Sequence, residues 1–436
     1  MTASTLTDRV RTTTAHIAVI GQGYVGLPLA VEFARAGFTV TGIDTDLDRI
    51  TRLNTGSSYI PDVDSGVLRG LVAEGRYSAT EDPNVLGAAD VVIICVPTPL
   101  RKSKDPDISF VMASAEQVAE RLRAGQLVVL ESTTYPGTTE ELLLPRFEAT
   151  GLRAGQDFYL AFSPERIDPA NPTFTVRDIP KIVGGVTPAC SDMAALLYGH
   201  IVPRVLRVSS ARAAELAKLY ENIFRNVNIA LANEFALMCS RLGVSSKEVI
   251  DAAASKPFGF MAFYPGPGIG GHCIPVDPLY LTWKMRLNGY EPRMIHVADE
   301  INRSMPAHVV DLVAEALNGR RQSLNGARVL VLGVAYKRGV GDTRESPAID
   351  VIERLHAKGA EVAYADPYVP SIAIGSSLLK SVDLDQATLA GADCVLILTD
   401  HPQFPYERVV REAALVVDPR NATFGIPAPQ GRIVRL

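Results

Sequence analysis

The run His16–Ile20, followed at once by Gly21-Gln22-Gly23-Tyr24-Val25-Gly26 and then by LPLAVEFARAG, limits what this chain can fold into more than any other stretch. A short apolar strand, three glycines at that spacing and a helical pattern form the first turn of a parallel α/β sheet that binds a dinucleotide. The first glycine allows the tight turn, the second lets the backbone approach a pyrophosphate, and the third lets helix and strand pack closely. The helix start then offers unpaired N–H donors and a positive dipole end to the phosphates. A second strand, Phe38–Ile43, ends on Asp44, about 20 residues on, where an acid binds the adenine ribose hydroxyls. Its charge repels the extra phosphate of NADP, so NAD is the expected cofactor. Arg49 either softens that preference or lies along the adenine edge.

The same sheet continues with Asp90–Val96, Gln126–Leu130 and Phe158–Phe162, apolar runs suited to buried parallel strands. Each leads into a polar cluster: Pro97-Thr98-Pro99, Glu131-Ser132-Thr133-Thr134 and Ser163-Pro164-Glu165-Arg166. These clusters fall at carboxyl ends of strands, where open α/β sheets bind their ligands. Thr98 and Thr133 are candidates to touch the nicotinamide half, and spacing alone equally allows loop-capping hydroxyls. Glu165 is a general-base candidate, set against the commoner surface ion pair. Cys95, inside its strand, reads as core. Ile179–Gly185 reads as the last strand of a domain covering residues 16–208.

From Ala211 to Leu242 the chain has no glycine or proline and is apolar at i, i+3, i+4 and i+7, the pattern of one long helix. About 30 helical residues span roughly 45 Å, the width of a domain. This helix organises an all-α middle domain, residues 209–320, and is the expected interface of a homodimer or higher homo-oligomer. Lys218 and Asn222 lie one turn apart on it, with Glu215 and Arg225 near the same line. Either this is a solvated charged stripe, or Lys218 and Asn222 point into a cleft as paired donors for a developing alkoxide. Val244–Ala254 reads as a further helix, and Met294–Asp311 as another interrupted at Pro306. Between them lies Tyr264–Tyr280, YPGPGIGGHCIPVDPLY, whose four prolines and four glycines suit neither a helix nor a central strand. This loop carries one nucleophile candidate, Cys273, with Asp277 shortly after it. Its glycines are expected to let it wrap closely around a ligand. His272 is a weaker general-base candidate, because adjacent loop residues usually point apart.

Arg328–Gly333 restarts the alternation of strand and helix, which continues through Glu361–Ala365, Cys394–Leu398 and Leu415–Asp418. This makes a second doubly wound domain over residues 321–436. Its first turn lacks the glycine fingerprint, so it is expected to hold a different phosphorylated ligand through Lys337 and Arg338. The alternative is solvated basic residues beside a turn. The expected fold class is therefore α/β: an N-terminal Rossmann domain, a central all-α domain and a C-terminal Rossmann-like domain. A net charge of −5 without a basic block argues against nucleic acid or an anionic membrane surface as partner. No apolar run approaches the roughly 18 residues of a transmembrane helix. Residues 1–15 lack the apolar centre of a signal peptide and read as a frayed polar leader. Five scattered cysteines without a CxxC pair read as thiols of a reducing compartment, the cytoplasm. His272 and Asp277 offer too few ligands for a metal.

The segments GQGYVGLPLA, ESTTYPGTTEE, FSPER, ELAKLYENIFRNVNIALANE, GIGGHCIPVDPLYL and AYKRGVGDTRESP occur in this order across essentially the whole chain. Together they resemble the nucleotide-sugar 6-dehydrogenase family, which includes UDP-glucose dehydrogenase. SPERIDPANPTFTVRDIPKIVGG and KPFGFMAFYPGPGIGGHCIPVDPLYLTWK are most similar to its branch acting on UDP-N-acetylglucosamine. The resemblance implies NAD-dependent oxidation of a UDP-sugar at C6 to the uronic acid in two hydride transfers, for polysaccharide precursors. It implies that Cys273 forms a thiohemiacetal and then a thioester. Lys218 and Asn222 would stabilise the oxyanion, Asp277 would orient the lysine or a water, and Glu165 with Thr133 would serve the hydrolytic water. It assigns Gly21, Gly23, Tyr24, Val25, Gly26, Asp44, Arg49, Thr98, Thr133 and Arg344 to NAD. It assigns Glu165, Arg166, Lys218, Asn222, Tyr264, Gly270 and Lys337 to the sugar nucleotide. UDP-glucose enzymes of the family carry an arginine that reaches in from the neighbouring subunit; here Lys256-Pro257-Phe258 stands in that region, so that contact is not carried over. UDP-glucose and UDP-N-acetylmannosamine remain alternative substrates. A two-electron hydroxyacid dehydrogenase and a non-catalytic NAD-responsive binding protein are the readings from other classes.

Overall fold

The computed structural model describes residues 5–101, 104–166, 174, 176–271 and 273–436. His272, the weaker general-base candidate, lies outside the described residues. The chain forms two compact units, Met1–Glu221 with Leu279–Tyr290, and Asn222–Pro278 with Glu291–Leu436. The helices Ala211–Leu242 and Asp277–Leu287 pass from one unit to the other along the chain. Residues expected in a separate middle domain are thus shared between the two.

The first unit is built on eight strands: β1 (His16–Ile20), β2 (Thr39–Ile43), β3 (Tyr77–Thr80), β4 (Val91–Ile94), β5 (Leu127–Leu130), β6 (Tyr159–Phe162), β7 (Lys181–Gly185) and β8 (Val205–Arg207). Their order in the sheet is β3-β2-β1-β4-β5-β6-β7-β8. Ile17 and Val19 of β1 face one buried cluster while Ala18 and Ile20 face another. Alternate residues of β4 and β5 divide in the same way. Helices cover both faces, which is why these strands read as unbroken apolar runs. Ile20 pairs with Ile43 on one side and Ile94 on the other. Strand order reverses between β1 and β4, so a ligand crevice is expected at their carboxyl ends.

Two expectations for this unit need correction. The strand expected over Ile179–Gly185 is not the last, because β8 lies beyond it, and it runs antiparallel to β6. From Thr5 on, the N-terminal leader is not frayed: Leu6–Arg11 is a helix with a Thr5–Asp8 capping box, and Leu6 and Val10, one turn apart, are buried.

The second unit carries β9 (Arg328–Leu332), β10 (Glu361–Ala365), a hairpin of β11 (Ser371–Ile374) and β12 (Ser377–Lys380), β13 (Cys394–Ile397), β14 (Val416–Asp418) and β15 (Ile433–Arg435). The five-stranded sheet, ordered β10-β9-β13-β14-β15, is parallel throughout. Again Val329 and Val331 face one buried cluster and Leu330 and Leu332 the other. The helix Arg293–Asn318 is continuous through Pro306, where an interruption was expected. Its buried stripe of Met305, Pro306, Val309, Val310 and Val313 offsets the hydrogen bond that the proline lacks. The glycine-rich loop is shorter than expected, since Asp277 already begins the helix Asp277–Leu287. Pro278 is tolerated there because the first helical N–H groups have no intrahelical partner.

Candidate functional site

In the first unit, a Cβ on Gly26 would fall 1.9 Å from Gly21 O, and one on Gly21 would fall 2.6 Å from Cys95 O. The fold itself demands both glycines. Gly23 differs, because a Cβ there would meet no atom within 4 Å. The helix Gly26–Arg35 behind it has no capping side chain, Val25 being its N-cap. In its first turn Leu27 N already donates to Gly23 O at 3.2 Å and Pro28 carries no N–H, so Gly26 N is the helical donor left for an anion. Asp44 Oδ2 accepts from Gln22 N at 2.8 Å and stands 3.7 Å from Arg49 Nη1. The Arg49 guanidinium also lies 5.4 Å from the centre of the Tyr59 ring. Burial, then Asp44, pushes the Tyr59 phenol up to about 12, so it stays a donor, to Gln22 O at 2.5 Å. Tyr24 is exposed.

Further along the carboxyl edge, Thr98 O accepts from the Tyr280 hydroxyl at 2.5 Å. Thr133 is half-buried. Its neighbour Thr134, which the sequence reading passed over, has a buried hydroxyl without a partner among the described residues. Glu165 is not a surface ion pair. Its Oε2 accepts from the buried Lys181 at 3.0 Å and its Oε1 from Arg166 N at 2.6 Å. The Arg166 guanidinium is taken up by Glu221, at 2.5 and 3.1 Å, and by Pro180 O at 2.8 Å.

The long helix overturns the reading of a solvated stripe, since Glu215, Lys218, Asn222, Asn226 and Asn233 are all buried. Glu215 accepts from Gly137 N at 2.6 Å, Thr139 N at 3.0 Å and Thr139 Oγ1 at 2.8 Å. Burial pushes its carboxyl above the usual range, and those bonds pull against the shift. Lys218, 7% exposed, makes no hydrogen bond or ion pair among the described residues. Its stem is buried while its ammonium is not among the solvent-sealed atoms that lack a partner, so the charge stays open to an incoming acceptor.

In the second unit the Asn222 amide donates to Asp277 and accepts from Arg225. Asp277 N and Val276 N donate to Cys273 O at 2.8 and 3.2 Å, closing a turn that ties Cys273 to Asp277. The other four cysteines are buried, whereas Cys273 is partly exposed. Three asparagines that the sequence reading missed pin the loop. Asn226 donates to Ile274 O at 3.2 Å, Asn233 accepts from Gly266 N at 2.9 Å, and Asn302 joins the two. The signal for Asn226 and Asn233 was their place on one helical face with Asn222; Asn302, on the helix Arg293–Asn318, had none.

Two of the loop glycines are required by the packing of the chain itself. A Cβ on Gly270 would fall 2.7 Å from Tyr336 Cβ, and one on Gly271, at φ +81°, would fall 2.9 Å from the Tyr336 ring. They let the loop pack on the segment after β9, which carries Lys337 and Arg344. Gly271 N donates to Arg344 O at 3.2 Å, and the Arg344 guanidinium grips Asp342 at 2.6 Å. Arg338 pairs with Asp400 at 2.5 Å, and Lys337 is half-buried. Asp366, at the end of β10, accepts from Val334 N at 2.8 Å and from His401, whose Nδ1 accepts from Gly339 N at 3.1 Å. Together they brace the Lys337 segment. Arg420, also missed, donates to Leu398 O at 2.8 Å, and its Nη1 would lie 2.7 Å from a Cβ on Gly266. Its place just past β14, at the carboxyl edge, was the available signal. Tyr264 is engaged elsewhere, donating to Asp251 at 2.7 Å with Lys247 over its ring.

These residues fall on three stretches with known counterparts. Residues 15–202 match the NAD binding domain of the UDP-glucose/GDP-mannose dehydrogenase family, 212–304 its central domain and 330–424 its UDP binding domain. The chain belongs to the UDP-glucose/GDP-mannose dehydrogenase family. It is accordingly an NAD-dependent UDP-sugar dehydrogenase. It is 39% identical to the UDP-N-acetyl-D-mannosamine dehydrogenase of Pyrococcus horikoshii over 93% of this chain and 95% of that one. It is also 39% identical to the UDP-N-acetyl-D-glucosamine 6-dehydrogenase of Pseudomonas aeruginosa, over 81% of this chain and 83% of that one. The solved structure of the Pyrococcus horikoshii enzyme matches 96% of this chain and 98% of its own, at 36% identity and a TM-score of 0.86. The expected α/β fold and the NAD cofactor are thereby borne out. NAD suits the dehydrogenase's own residues, with open space above Gly23 and an uncapped helix start for the pyrophosphate and Asp44 at the strand end for a ribose. No helix among the described residues is long and apolar enough to cross a membrane.

Proposed function

We propose that this dehydrogenase oxidises the C6 alcohol of UDP-N-acetylglucosamine to the uronic acid in the cytoplasm, using two NAD per sugar, to supply a polysaccharide precursor. One observation carries the chemistry: Lys218 is buried without a partner one helical turn before Asn222, whose amide is tied to Asp277 and so to the Cys273 turn. NAD supplies the hydride acceptor for both oxidations. The Cys273 thiolate adds to the C6 aldehyde, forming a C–S bond as the carbonyl electrons move to oxygen, and Lys218 and Asn222 donate to that oxyanion. Loss of hydride from C6 leaves a thioester. Glu165 takes the proton from a water placed by Thr133 as that water adds to the thioester. The C–S bond then breaks, giving carboxylate and free thiol. Gly21, Gly23, Tyr24, Val25, Gly26, Asp44, Arg49, Thr98, Thr133 and Arg344 are assigned to NAD. Arg166, Tyr264, Gly270 and Lys337, joined by Arg420, are assigned to the sugar nucleotide. Arg166 and Tyr264 would exchange Glu221 and Asp251 for it.

UDP-N-acetylmannosamine is the second reading, favoured because the relative named for that sugar aligns over more of this chain than the one named for UDP-N-acetylglucosamine. Turnover on these two sugars and on UDP-glucose, with NADH counted per uronate, tests both readings. Two NADH per uronate and fastest turnover on UDP-N-acetylglucosamine are expected; one NADH per sugar would restore the hydroxyacid dehydrogenase reading. A homodimer is part of the same proposal. The long helix hides its polar face and exposes Leu216, Tyr220, Phe224, Leu231, Met238 and Leu242, the inverse of a helix that ends at solvent.

A further inference from the structure

Because β7 runs antiparallel to β6, its first residue, Lys181, arrives at the edge where β4, β5 and β6 end. A parallel strand would have presented its last residue there. Lys181 Nζ lies 2.9 Å from Glu131 Oε2 and 3.0 Å from Glu165 Oε2, with the three side chains 6%, 0% and 13% exposed. The second oxygen of Glu131 takes the hydroxyl of the buried Tyr198, whose ring centre lies 5.2 Å from the ammonium. One ammonium is thus shared between two carboxylates, and only Glu165 keeps an edge towards solvent. A buried ion pair contributes little stability over apolar residues of similar size. The arrangement asks for another reason.

We propose that Lys181 and Glu131 are positioning residues that set the proton affinity of Glu165. The lysine holds the carboxylate ionised and aimed, and Glu131 offsets the lysine charge so that Glu165 stays basic enough to take a proton from water. The proposal rests on the reading of Glu165 as the hydrolytic base. An ammonium in contact lowers a carboxyl by about one to three units when it acts alone, which would leave a weak base. A second carboxylate on the same ammonium opposes that shift. The directions at the partners agree. Burial raises the Glu131 carboxyl while Lys181 pulls it down, and although burial would lower the Lys181 ammonium, the two carboxylates raise it. Among the described residues, Lys181 from β7 and Arg166 beside it contact Glu165, and Glu131 after β5 and Cys95 after β4 lie within its electrostatic reach. Burial pushes the Cys95 thiol well up and keeps it neutral, and Glu221 neutralises Arg166.

The test follows decay of the Cys273 acyl-enzyme against pH, by rapid quench and intact mass, using the UDP-sugar that turns over. Glu131→Gln should move the acid limb down by about one unit, and Lys181→Met should move it up by about one. Residues that merely hold the fold would shift neither limb or both the same way. Lys181→Met leaves Glu131 buried without its cation, so the double variant Glu131→Gln/Lys181→Met guards against misfolding, and its limb should lie between those of the single variants. If Glu165→Gln stalls the acyl-enzyme while Glu131→Gln keeps the wild-type limb in a variant that folds as stably as wild type, the positioning role is overturned and the base survives. If Glu165→Gln decays like wild type, the base reading falls and this proposal falls with it.

Discussion

Alanine at Gly23 and alanine at Gly26 should have opposite consequences, although the two positions are three residues apart in one turn. At Gly26 the new Cβ would sit 1.9 Å from Gly21 O and 3.1 Å from Cys95 Cβ. Backbone, not a flexible side chain, would have to give way. Overpacking of that kind costs about 1–3 kcal/mol and at times more, and a unit of this size loses roughly 2–4 °C of Tm per kcal/mol. Gly26→Ala should therefore melt several degrees lower, with or without NAD. At Gly23 the Cβ meets nothing within 4 Å, and the residue is not among those with positive φ. Gly23→Ala should leave the ligand-free Tm unchanged or raise it, because alanine removes about 0.4–1 kcal/mol of unfolded-chain freedom. Its methyl would occupy the space reserved for the pyrophosphate, so NAD should bind about tenfold or more weakly, roughly 1.4 kcal/mol. Thermal melts with and without NAD, together with titration calorimetry, measure both quantities. Wild-type NAD affinity in Gly23→Ala would refute the reasoning that this open space holds the cofactor; a wild-type melt for Gly26→Ala would refute the steric argument.

Lys218→Met should abolish turnover while leaving Tm unchanged or higher, because it removes a charge without a partner and keeps a buried apolar stem; a clear fall in Tm would mean that the ammonium is satisfied in the folded protein. Asp366 gives a pH signature. Burial alone would raise its carboxyl, but the His401 hydrogen bond and backbone N–H groups hold it below the usual value. Its contribution to stability is therefore present above the ordinary carboxylate range and lost as pH falls through the depressed value. Asp366→Asn should cost most at neutral pH, begin to converge on wild type near about pH 4 and meet it only below the depressed value in denaturant titrations; a cost independent of pH would count against it. Tyr220→Glu with Leu231→Glu should turn a dimer into monomer in sedimentation equilibrium, and a persistent dimer would place the interface elsewhere.

The cofactor half of this molecule was legible because dinucleotide-binding folds approach the pyrophosphate with backbone, and that approach leaves its imprint as glycines at fixed spacing between a strand and a helix. The strands were legible for a related reason: burial on both faces turns them into unbroken apolar runs, as at Val91–Ile94 and Cys394–Ile397. Strand direction leaves no such imprint. Nothing in KIVGG says that β7 runs against β6, and that direction is what brings Lys181 to Glu165. The polar line from Glu215 to Asn233 was visible as a line, yet a solvated face and a buried one use the same residues at the same spacing. Only the partners distinguish them, and these lie far away in sequence at Gly137, Thr139, Ile274 and Asp277. The loop glycines show the same asymmetry, since close approach could be read from Gly270 and Gly271 while its target, Tyr336, could not. Sugar identity sits at the far end of this scale. An epimeric hydroxyl is distinguished by a few side chains brought together from separate segments, so the order of motifs that reveals the family is silent about it, and substrate comparison rather than further sequence reading is what separates UDP-N-acetylglucosamine from UDP-N-acetylmannosamine.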